Sequence, residues 1–323
     1  MAITLAQAKI GMADKVDQNV IDEFRRSSLL LEKLTFDDTV SPGTGGSTLV
    51  YGYTQLKTPA TAEFREINSE YTGNEAERDK KSVELKVFGG KFSIDRVIAR
   101  TSGAIDEVNF QLQEKIKATT NTFHNAVING DSSVKGFDGL DVMLADSSTE
   151  LNKDTANVID LSTATALNDN YMLVLDMLDE LLASVDGTPD MIMGNTKMIT
   201  KIAACARRAG YFSHAEDALG KRWGAYNNIP LVDLENYFDG EKTSPVVPIV
   251  TRGEISGLTD LYTVRLGLDG FHAASPAGGK LINTTLPDFT TAGAVKDGDV
   301  EMVAATVLKN TRAAGVLRNF KVQ

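Results

Sequence analysis

Apolar residues recur at helical spacing along much of this chain, and the longest such stretch predicts a central helix. Residues 106–129 carry an apolar stripe on one helical face, formed by Val108, Leu112, Ile116, Thr119, Phe123 and Val127. Asp106 suits the start of this helix, and Gly130 suits the left-handed position just after its end. At 1.5 Å per residue the predicted helix is a rod of about 36 Å.

Other stretches also predict amphipathic helices. Residues 17–34 place apolar side chains at near-helical spacing, with Asp17 suited to the N-cap. Residues 161–185 predict a second amphipathic helix, which an Asp-Gly pair ends. Residues 195–209 predict another, whose apolar face holds Met198, Ile202, Cys205, Ala206 and Ala209.

Alternation of apolar and polar residues predicts strands. In residues 82–95 (SVELKVFGGKFSID), Val83, Leu85 and Val87 alternate with polar residues, as on a half-buried strand. Further β-prone segments are PDMIMGN, IPLVDL, PVVPIVT, LYTVRLGLDGFHAAS, VEMVAATVL and AAGVLRNFKV. Glycines at 270, 278, 279 and 298 punctuate the last three segments as in β-hairpins. The mixture of helices and strands predicts the α+β class.

A charged excursion of about 25 residues separates a β-prone run that ends at Pro59 from the strand predicted over 82–95. It carries charges of both signs and has no regular apolar period. Loops of this length either serve binding or are solvated insertions, and both alternatives stay open here. Phe64, Ile67 and Tyr71 lie inside the charged run, and a purely solvated loop has little use for them.

Composition places the chain among globular proteins and argues against a nucleic-acid-binding surface. Of the 323 residues, 42% are hydrophobic and 24% are charged, which is typical of a folded domain. The 33 basic residues against 44 acidic ones give a net charge of −11, whereas phosphate contacts need clustered Lys and Arg. No leader-like N-terminal segment and no apolar run long enough to cross a membrane is present, so we expect a protein that is made in the cytoplasm and stays soluble at least until it assembles.

The stretch NGDSSVKGFDGL (129–140) raises the question of a phosphate-binding loop. A P-loop follows a strand, has four residues between its glycines, and ends in Lys and Ser or Thr. Here five residues separate Gly130 from Gly136, Lys135 precedes the second glycine, and the segment follows a predicted helix. We therefore interpret it as a turn of the fold.

No other motif commits the chain to catalysis, a cofactor or a metal. His124, His214 and His272 lie far apart and lack the close spacing of a zinc site. Asp138 and Asp141 flank a glycine but do not form a calcium loop. The remaining candidates are Trp223, which suits packing better than base stacking, and the single Cys205, which the helical spacing places inside.

In this order, several of these segments resemble the HK97-type major capsid proteins of tailed bacteriophages. IDEFRRSSLLLEKLTFDD is similar to the family's N-terminal arm, and the stretch from TPATAEF to SIDRVIAR resembles its extended E-loop and return strand. The helix predicted over 106–129 resembles the spine helix of the P-domain, and NGDSSVKGFDGLDVML resembles the loop after it. VDGTPDMIMGNTKMITKIAACARRAG resembles an A-domain segment, and LYTVRLGLDGFHAAS and NTRAAGVLRNFKV resemble the last strands.

The resemblance implies an HK97-like domain organisation. It gives an N-terminal arm over 1–38, an E-loop with its flanking strands over 39–92, a P-domain over 93–156, an A-domain over 157–280, and a return to the P-domain over 281–323. It implies a coat protein without enzymatic activity, which assembles with itself as hexamers and pentamers into an icosahedral shell around double-stranded DNA. The protein is then expected in the host cytoplasm before and during assembly, and in the virion capsid afterwards.

The resemblance also implies partners and assembly contacts. A portal is expected, and so is a separate scaffolding protein, because the arm begins almost at once. The candidate contacts to neighbouring subunits are the E-loop residues Glu63, Phe64, Arg65, Glu66, Tyr71, Lys80 and Lys81. Some family members join an E-loop lysine to an asparagine, and Lys57 also lies in that region. Nothing in this chain identifies the matching asparagine, so we do not transfer that chemistry.

Two alternatives remain at the level of the sequence. An encapsulin-like nanocompartment protein shares the fold but encloses cargo enzymes. An α/β hydrolase or phosphate-binding enzyme would use His124, His214 or the glycine loop, although no residue spacing supports it.

Overall fold

The computed structural model describes residues 29–39, 46–101, 107–216, 222–276 and 281–323. The helices of these residues are α1 (Leu29–Lys33), α2 (Arg96–Thr101), α3 (Glu107–Asn129), α4 (Leu140–Leu144), α5 (Ala164–Ser184) and α6 (Thr196–Ala209). The strands of the first half are β1 (Phe36–Thr39), β2 (Val50–Thr58), β3 (Glu77–Glu84), β4 (Lys86–Asp95), β5 (Glu150–Leu151), β6 (Ile159–Asp160) and β7 (Met191–Gly194). Those of the second half are β8 (Phe212–Glu216), β9 (Arg222–Tyr226), β10 (Ile229–Asp233), β11 (Asn236–Phe238), β12 (Thr243–Pro245), β13 (Val250–Arg252), β14 (Ile255–Val264), β15 (Phe271–Pro276), β16 (Ile282–Thr285), β17 (Val295–Leu308) and β18 (Ala314–Lys321).

Two large sheets organise the protein, and the predicted α+β class is confirmed. The first has the order β1-β15-β17-β16, with β4 also paired to the long β17. The second has the order β5-β18-β14-β7-β10-β9-β8, with β13 on β14 and β6 on β18. Two smaller pairs, β2–β3 and β11–β12, stand apart from them. No helix among the described residues is both long enough and apolar enough to cross a membrane.

The central helix α3 confirms the predicted apolar stripe. Leu112, Ile116, Phe123 and Val127 are buried, and the helix packs on β4 and β17. Phe123 stacks on Phe88 of β4 with ring centroids 5.9 Å apart. Such aromatic pairs contribute about 0.5–1.5 kcal/mol beyond their buried area. The stripe therefore fixes the helix to the first sheet, while Asp106 lies outside the described residues.

The predicted left-handed conformation of Gly130 is wrong. The residue with positive φ in this loop is Lys135, at 65°. Gly130 is instead required by close packing, because a Cβ there would lie 2.3 Å from the carbonyl oxygen of Phe137 and 2.4 Å from that of Ala126. The chain thus turns from α3 into α4 with its backbone in direct contact with the helix end.

The single strand predicted over 82–95 is two strands. β3 pairs with β2, whereas β4 pairs with β17, and the change of partner falls at Leu85. The N–H of Leu85 donates to the carbonyl of Leu49 over 2.8 Å. This change of partner reverses the alternation, so Val87 is 60% exposed while Phe92 and Ile94 of β4 are buried. The prediction for Val87 failed because a period-two pattern cannot show where a strand changes sheets.

The hairpin turns predicted at Gly270 and Gly298 are wrong, whereas Gly278 and Gly279 lie outside the described residues. β14 and β18 belong to the second sheet, but β15, β16 and β17 belong to the first, so the chain changes sheets between β14 and β15 and again between β17 and β18. The consecutive strands β16 and β17 do pair antiparallel. Gly298 is no turn residue. It lies within β17, where a Cβ would be 2.4 Å from the ring of Phe92. In the segment PVVPIVT, β12 ends at Pro245 and β13 begins only at Val250.

The remaining predicted helices agree with the structure where it describes them. α5 and α6 lie within the predicted ranges, and Met198, Ile202 and Cys205 of α6 are buried. Asn195 caps α6 by accepting a hydrogen bond from the N–H of Met198 over 2.9 Å. Of the helix predicted over 17–34, only the last turn, α1, is described, and its leucines are buried.

Two hydrophobic clusters fill the subunit. One surrounds α3 and the first sheet, and the other lies between α5, α6 and the second sheet. Strands β14 and β18 contribute residues to both clusters, so the chain crosses between them more than once. The boundaries of the five predicted segments stay a prediction.

Replacing Ile116 with Asp should prevent folding. Ile116 is 3% exposed, and burying an unpaired carboxylate costs several kcal/mol, a large share of a typical domain's stability. We expect insoluble or degraded protein, measured as the soluble fraction after expression. The matched control is Gln113→Asp on the exposed face of the same helix, and an equal soluble yield for both variants would contradict the assigned facing.

Candidate assembly interface

The feature that sets this subunit apart from a compact domain is a long antiparallel arm. β2 and β3 pair from Val50 opposite Glu84 to Thr58 opposite Glu77, and residues 59–76 connect them without helix or strand. Every residue from 56 to 82 is exposed. The charged excursion of the sequence is therefore the outer part of this arm, which the subunit's own core does not cover.

Three large apolar side chains lie at the outer part of the arm. Phe64 is fully exposed, Ile67 is 91% exposed and Tyr71 is 62% exposed. Fully exposing such side chains forgoes about 1.5–3 kcal/mol each relative to burial. A cluster of exposed apolar residues on a monomer commonly marks an interaction site.

The outer loop has an internal structure of its own. The Arg65 guanidinium donates to the carbonyl of Ser69 over 3.1 Å and lies 5.3 Å from the centre of the Tyr71 ring. The Glu63 carboxylate accepts a hydrogen bond from the N–H of Thr72, across the loop. These contacts hold the two sides of the loop together and so restrict the positions of its apolar side chains.

The outer loop of the arm has a net negative charge, whereas its stem has a net positive charge. Residues 59–76 carry four acidic side chains, Glu63, Glu66, Glu70 and Glu75, against the single basic Arg65. The stem, formed by β2 and β3, carries four basic side chains against three acidic ones: Lys57, Arg78, Lys80 and Lys81 against Glu77, Asp79 and Glu84. Lys57 forms an ion pair with Glu77 over 3.3 Å. The candidate contacts Lys80 and Lys81 thus lie on β3, away from Glu63, Phe64, Arg65, Glu66 and Tyr71 on the outer loop.

The base of the arm is fixed to the body by alternate residues of β2. The Tyr51 hydroxyl donates to the carboxylate of Asp37, the Tyr53 hydroxyl donates to the carbonyl of Leu308 over 3.3 Å, and the Gln55 amide donates to the carbonyl of Lys309 over 3.0 Å. Burial and the Asp37 contact raise the pKa of Tyr51. The alternation in VYGYTQ could have indicated this inward face, but the sequence does not show its partners.

A network of ion pairs, buried at Glu150 and Asp260 and half exposed at Asp141, joins α4 to the second sheet, and sequence reasoning missed it. Arg318 of β18 contacts Asp141 of α4 over 2.6 Å, Asp260 over 3.1 Å, and Glu150. Arg252 donates to Asp260 over 2.7 Å from the other side. Burial opposes the charge of Arg318, but the bond to Asp141 and the charge of Asp260 outweigh it and raise the pKa of the guanidinium.

The glycine loop does not offer its amides to a phosphate. The N–H of Ser132 donates to the carboxylate of Asp138 over 2.9 Å, and the N–H of Ser133 donates to that of Asp131 over 2.7 Å. The N–H of Gly136 donates to the carbonyl of Asp131 over 3.2 Å. A phosphate cradle needs free amides, so this loop serves the turn between α3 and α4.

The residues considered for catalysis are spread over separate elements. His124 lies on α3, His214 on β8 and His272 on β15. Burial lowers the pKa of His124 to about 4. Within the described part of the chain, no group of three acidic, histidine or cysteine side chains is placed to hold a metal. Trp223 of β9 is half-buried and packs against the first core.

Cys205 should resist thiol reagents in the folded protein. It is fully buried, and burial raises the pKa of its thiol to about 11, which keeps the nucleophilic thiolate scarce at neutral pH. We expect a maleimide to label it only after denaturation, measured by mass spectrometry. Rapid labelling under native conditions would show that α6 does not cover the thiol.

Comparison with known proteins identifies the architecture. No protein-family model matches the chain, and no curated protein matches it in sequence. Its structure is similar to the holo-SrpI encapsulin complex from Synechococcus elongatus PCC 7942, with a TM-score of 0.58, 15% identity, and coverage of 91% of this chain and 88% of that chain. It is also similar to a chain of Mycobacterium phage Bobi, with a TM-score of 0.57, 12% identity, and coverage of 92% and 90%.

A third similar structure is the capsid of the native GTA particle, with a TM-score of 0.54, 12% identity, and coverage of 90% of this chain and 89% of that chain. In all three comparisons nearly the whole of both chains is covered, so the similarity extends to the complete architecture. The chain therefore has the HK97-like fold that capsid subunits of phages share with encapsulins.

Proposed function

We propose that this protein is the major capsid protein of a tailed phage or prophage, and that it assembles with itself into an icosahedral shell around double-stranded DNA. The observation that carries the proposal is the exposed arm on an HK97-like fold. Its outer loop exposes three large apolar side chains to solvent in the isolated subunit. A neighbouring copy that covered them would recover that apolar burial at every equivalent interface.

The composition supports a container for DNA. A net charge of −11 gives the protein little general attraction to nucleic acid, and a shell should not bind tightly the DNA packed inside it. The mixed charges of the arm suit many weak contacts between subunits. Weak contacts also allow a misplaced subunit to leave during assembly.

An encapsulin-like nanocompartment protein is the second candidate, since an encapsulin and phage chains are similar to this chain to nearly the same degree. The length of the arm favours the phage capsid. The two candidates differ in their contents, because a phage shell is filled with DNA through a portal and an encapsulin encloses protein cargo. A portal or terminase gene beside this one would decide between them.

The proposed organisation follows the predicted segments. Residues 39–92 form the E-loop with its flanking strands, which contacts neighbouring subunits. Residues 93–156 and 281–323 form the P-domain, and residues 157–280 form the A-domain. Residues 1–38 form the N-terminal arm, most of which lies outside the described residues. A portal and a separate scaffolding protein are the proposed partners, and the virion capsid is the proposed location. Enzymatic activity has no part in the proposal.

Charge reversal on the outer loop should weaken assembly and make it more sensitive to salt. We expect this from the triple variant Glu63→Lys, Arg65→Glu, Glu66→Lys, because ion pairs between partly exposed groups are screened by salt. Static light scattering over a salt series measures assembly. Glu241→Lys, in the exposed β11–β12 turn, changes the net charge by the same amount and is the control. Equal salt curves for both variants would argue against a role of the loop in assembly.

Sedimentation of the purified protein tests the proposal itself. A shell-forming subunit of 34.8 kDa should yield particles that sediment far faster than any small oligomer. A protein that stays monomeric at high concentration, with and without a co-expressed scaffolding protein from its own genome, would contradict the proposal.

A further inference from the structure

We propose that His272 is a proton-sensitive latch, and that protonation of its ring loosens the joint that holds the β2–β3 arm to the body of the subunit. The inference concerns the joint within one subunit and does not depend on shell formation. It starts from an unusual side chain. His272 is fully buried, and neither of its ring nitrogens makes a hydrogen bond of normal geometry with any described residue, although the backbone of Gly267 and Gly270 lies beside the ring.

His272 faces the base of the arm. It lies on β15, opposite Val307 of β17, and its ring meets the ring of Tyr51 edge to face with centroids 5.6 Å apart. Tyr51 is the innermost of the β2 residues that fix the arm, and its hydroxyl donates to Asp37 of β1. The arm, β1 and β15 thus meet at one histidine ring.

Three charged or titratable side chains face this ring from the elements packed against it. They are Asp37 from β1, Tyr51 from β2 and Lys309 from the end of β17. The ammonium of Lys309 lies 3.8 Å from the Asp37 carboxylate and 5.2 Å from the centre of the Tyr51 ring. Histidine is the type of side chain at this joint whose ordinary pKa lies in the range of physiological pH.

The surroundings favour the neutral ring. Burial lowers the pKa of His272, and the positive charge of Lys309 lowers it further, while the backbone of Gly270 and Gly267 and the charge of Asp37 oppose this only in part. The pKa is thus lower in the folded joint than in the unfolded chain. The stability that the neutral ring contributes is complete above the ordinary histidine pKa of about 6.5, and it is lost as the pH falls below that value.

Protonation has a direct route to the arm. An imidazolium carries two N–H donors and needs acceptors, and Asp37 is the acidic group whose charge acts on it. The Asp37 carboxylate already accepts from the Tyr51 hydroxyl and pairs with Lys309, so an imidazolium that competes for it weakens the Tyr51 hydrogen bond. Burying the new charge also costs free energy, and both effects favour outward movement of the Tyr51 ring, which lets water reach the imidazolium. The arm would remain attached through Tyr53 and Gln55.

Hydrogen–deuterium exchange of the full-length protein tests the latch. We expect peptides from β2 and β3 to exchange faster at about pH 5 than at about pH 7.5, after correction for the chemical exchange rate. The expected increase is at most about thirtyfold, because pH 5 lies only about 1.5 units below the ordinary histidine pKa of about 6.5. His272→Phe keeps an aromatic ring against Tyr51 and should abolish the increase.

The other two histidines provide matched controls. His214→Gln changes an exposed histidine, and His124→Gln changes a buried one whose pKa of about 4 keeps it neutral in this range. Both variants should keep the acid response of the arm. The proposal is overturned if the arm's exchange does not depend on pH, if His272→Phe responds to acid as the unchanged protein does, or if either control loses the response.

A second variant keeps the test decisive if His272→Phe fails to fold. Tyr51→Phe removes the hydroxyl that bonds Asp37, so the arm should exchange faster already at neutral pH and acid should add little. A Tyr51→Phe protein with the same acid response as the unchanged protein would overturn the latch. The same state of assembly is compared across all variants, so a failure of the protein to form shells does not affect the result.

Discussion

Replacing residues 59–76 with a short Gly-Ser linker should leave a folded subunit that no longer assembles into closed particles. Every side chain of this segment is exposed, so its removal takes nothing from either hydrophobic cluster. The entropy of loop closure changes only slowly with loop length, so the shorter connection alone should not unfold the subunit. Circular dichroism should be near that of the unchanged protein, and sedimentation should show only small species.

Two companion variants separate loop length from loop chemistry. Phe64→Ser combined with Ile67→Ser keeps the length of the arm and removes its two most exposed apolar side chains. It should also block assembly if burial against a neighbour drives docking. A Gly-Ser replacement of the exposed β11–β12 turn, residues 239–242, is the control and should assemble.

Either of two results would contradict this account of the arm. Closed particles of normal size from the linker variant would show that the excursion is a solvated insertion. An unfolded linker variant would show that the outer loop belongs to the subunit's own core, against its exposure in the structure.

Arg318→Met should destabilise the subunit by about 3–5 kcal/mol, the usual cost of breaking a buried ion pair from one side. The methionine fills most of the volume, but Asp141 and Glu150 lose their guanidinium partner, while Asp260 keeps Arg252 and the N–H of Asn319. Urea denaturation at neutral pH measures the loss. Because protonation relieves a buried carboxylate without a counter-ion, the deficit should shrink as the pH is lowered.

Lys153→Met is the matched control for this prediction. Lys153 pairs with Asp146 over 2.7 Å at the surface, with more than half of its side chain exposed. An exposed pair of this kind contributes about 0–1 kcal/mol. Equal effects of Lys153→Met and Arg318→Met would show that the network around Arg318 does not hold α4 to the second sheet.

The elements that the sequence predicted correctly are those specified by local periodicity. The stripe of α3 and the apolar face of α6 repeat over several turns, and a helix must bury such a face whatever its partners are. The predictions failed where the exposure of a residue or the sheet of a strand depends on which distant strand it pairs with. Val87 is exposed because the chain changes sheets at Leu85, and β14 and β15 separate because each finds a partner in a different sheet.

The candidate interface likewise has a part that the sequence indicated and a part that it could not show. Phe64, Ile67 and Tyr71 stood out as apolar residues within a charged run, and their exposure agrees with an interaction site. The joint at the base of the arm could not be predicted, because the Tyr53–Leu308 hydrogen bond joins residues 255 positions apart. The Arg318 network likewise joins five separate elements, and no spacing in the sequence brings its members together. All seven candidate contacts remain predictions: Glu63, Phe64, Arg65, Glu66, Tyr71, Lys80 and Lys81.

Electron microscopy of the purified protein, carried to a resolution that traces the chain, tests the central claim most directly. The account predicts closed icosahedral particles in which the outer loop of each arm, with Phe64 at its surface, lies against a neighbouring copy. Particles whose arms extend into solvent, or a protein that never forms a closed shell, would contradict it.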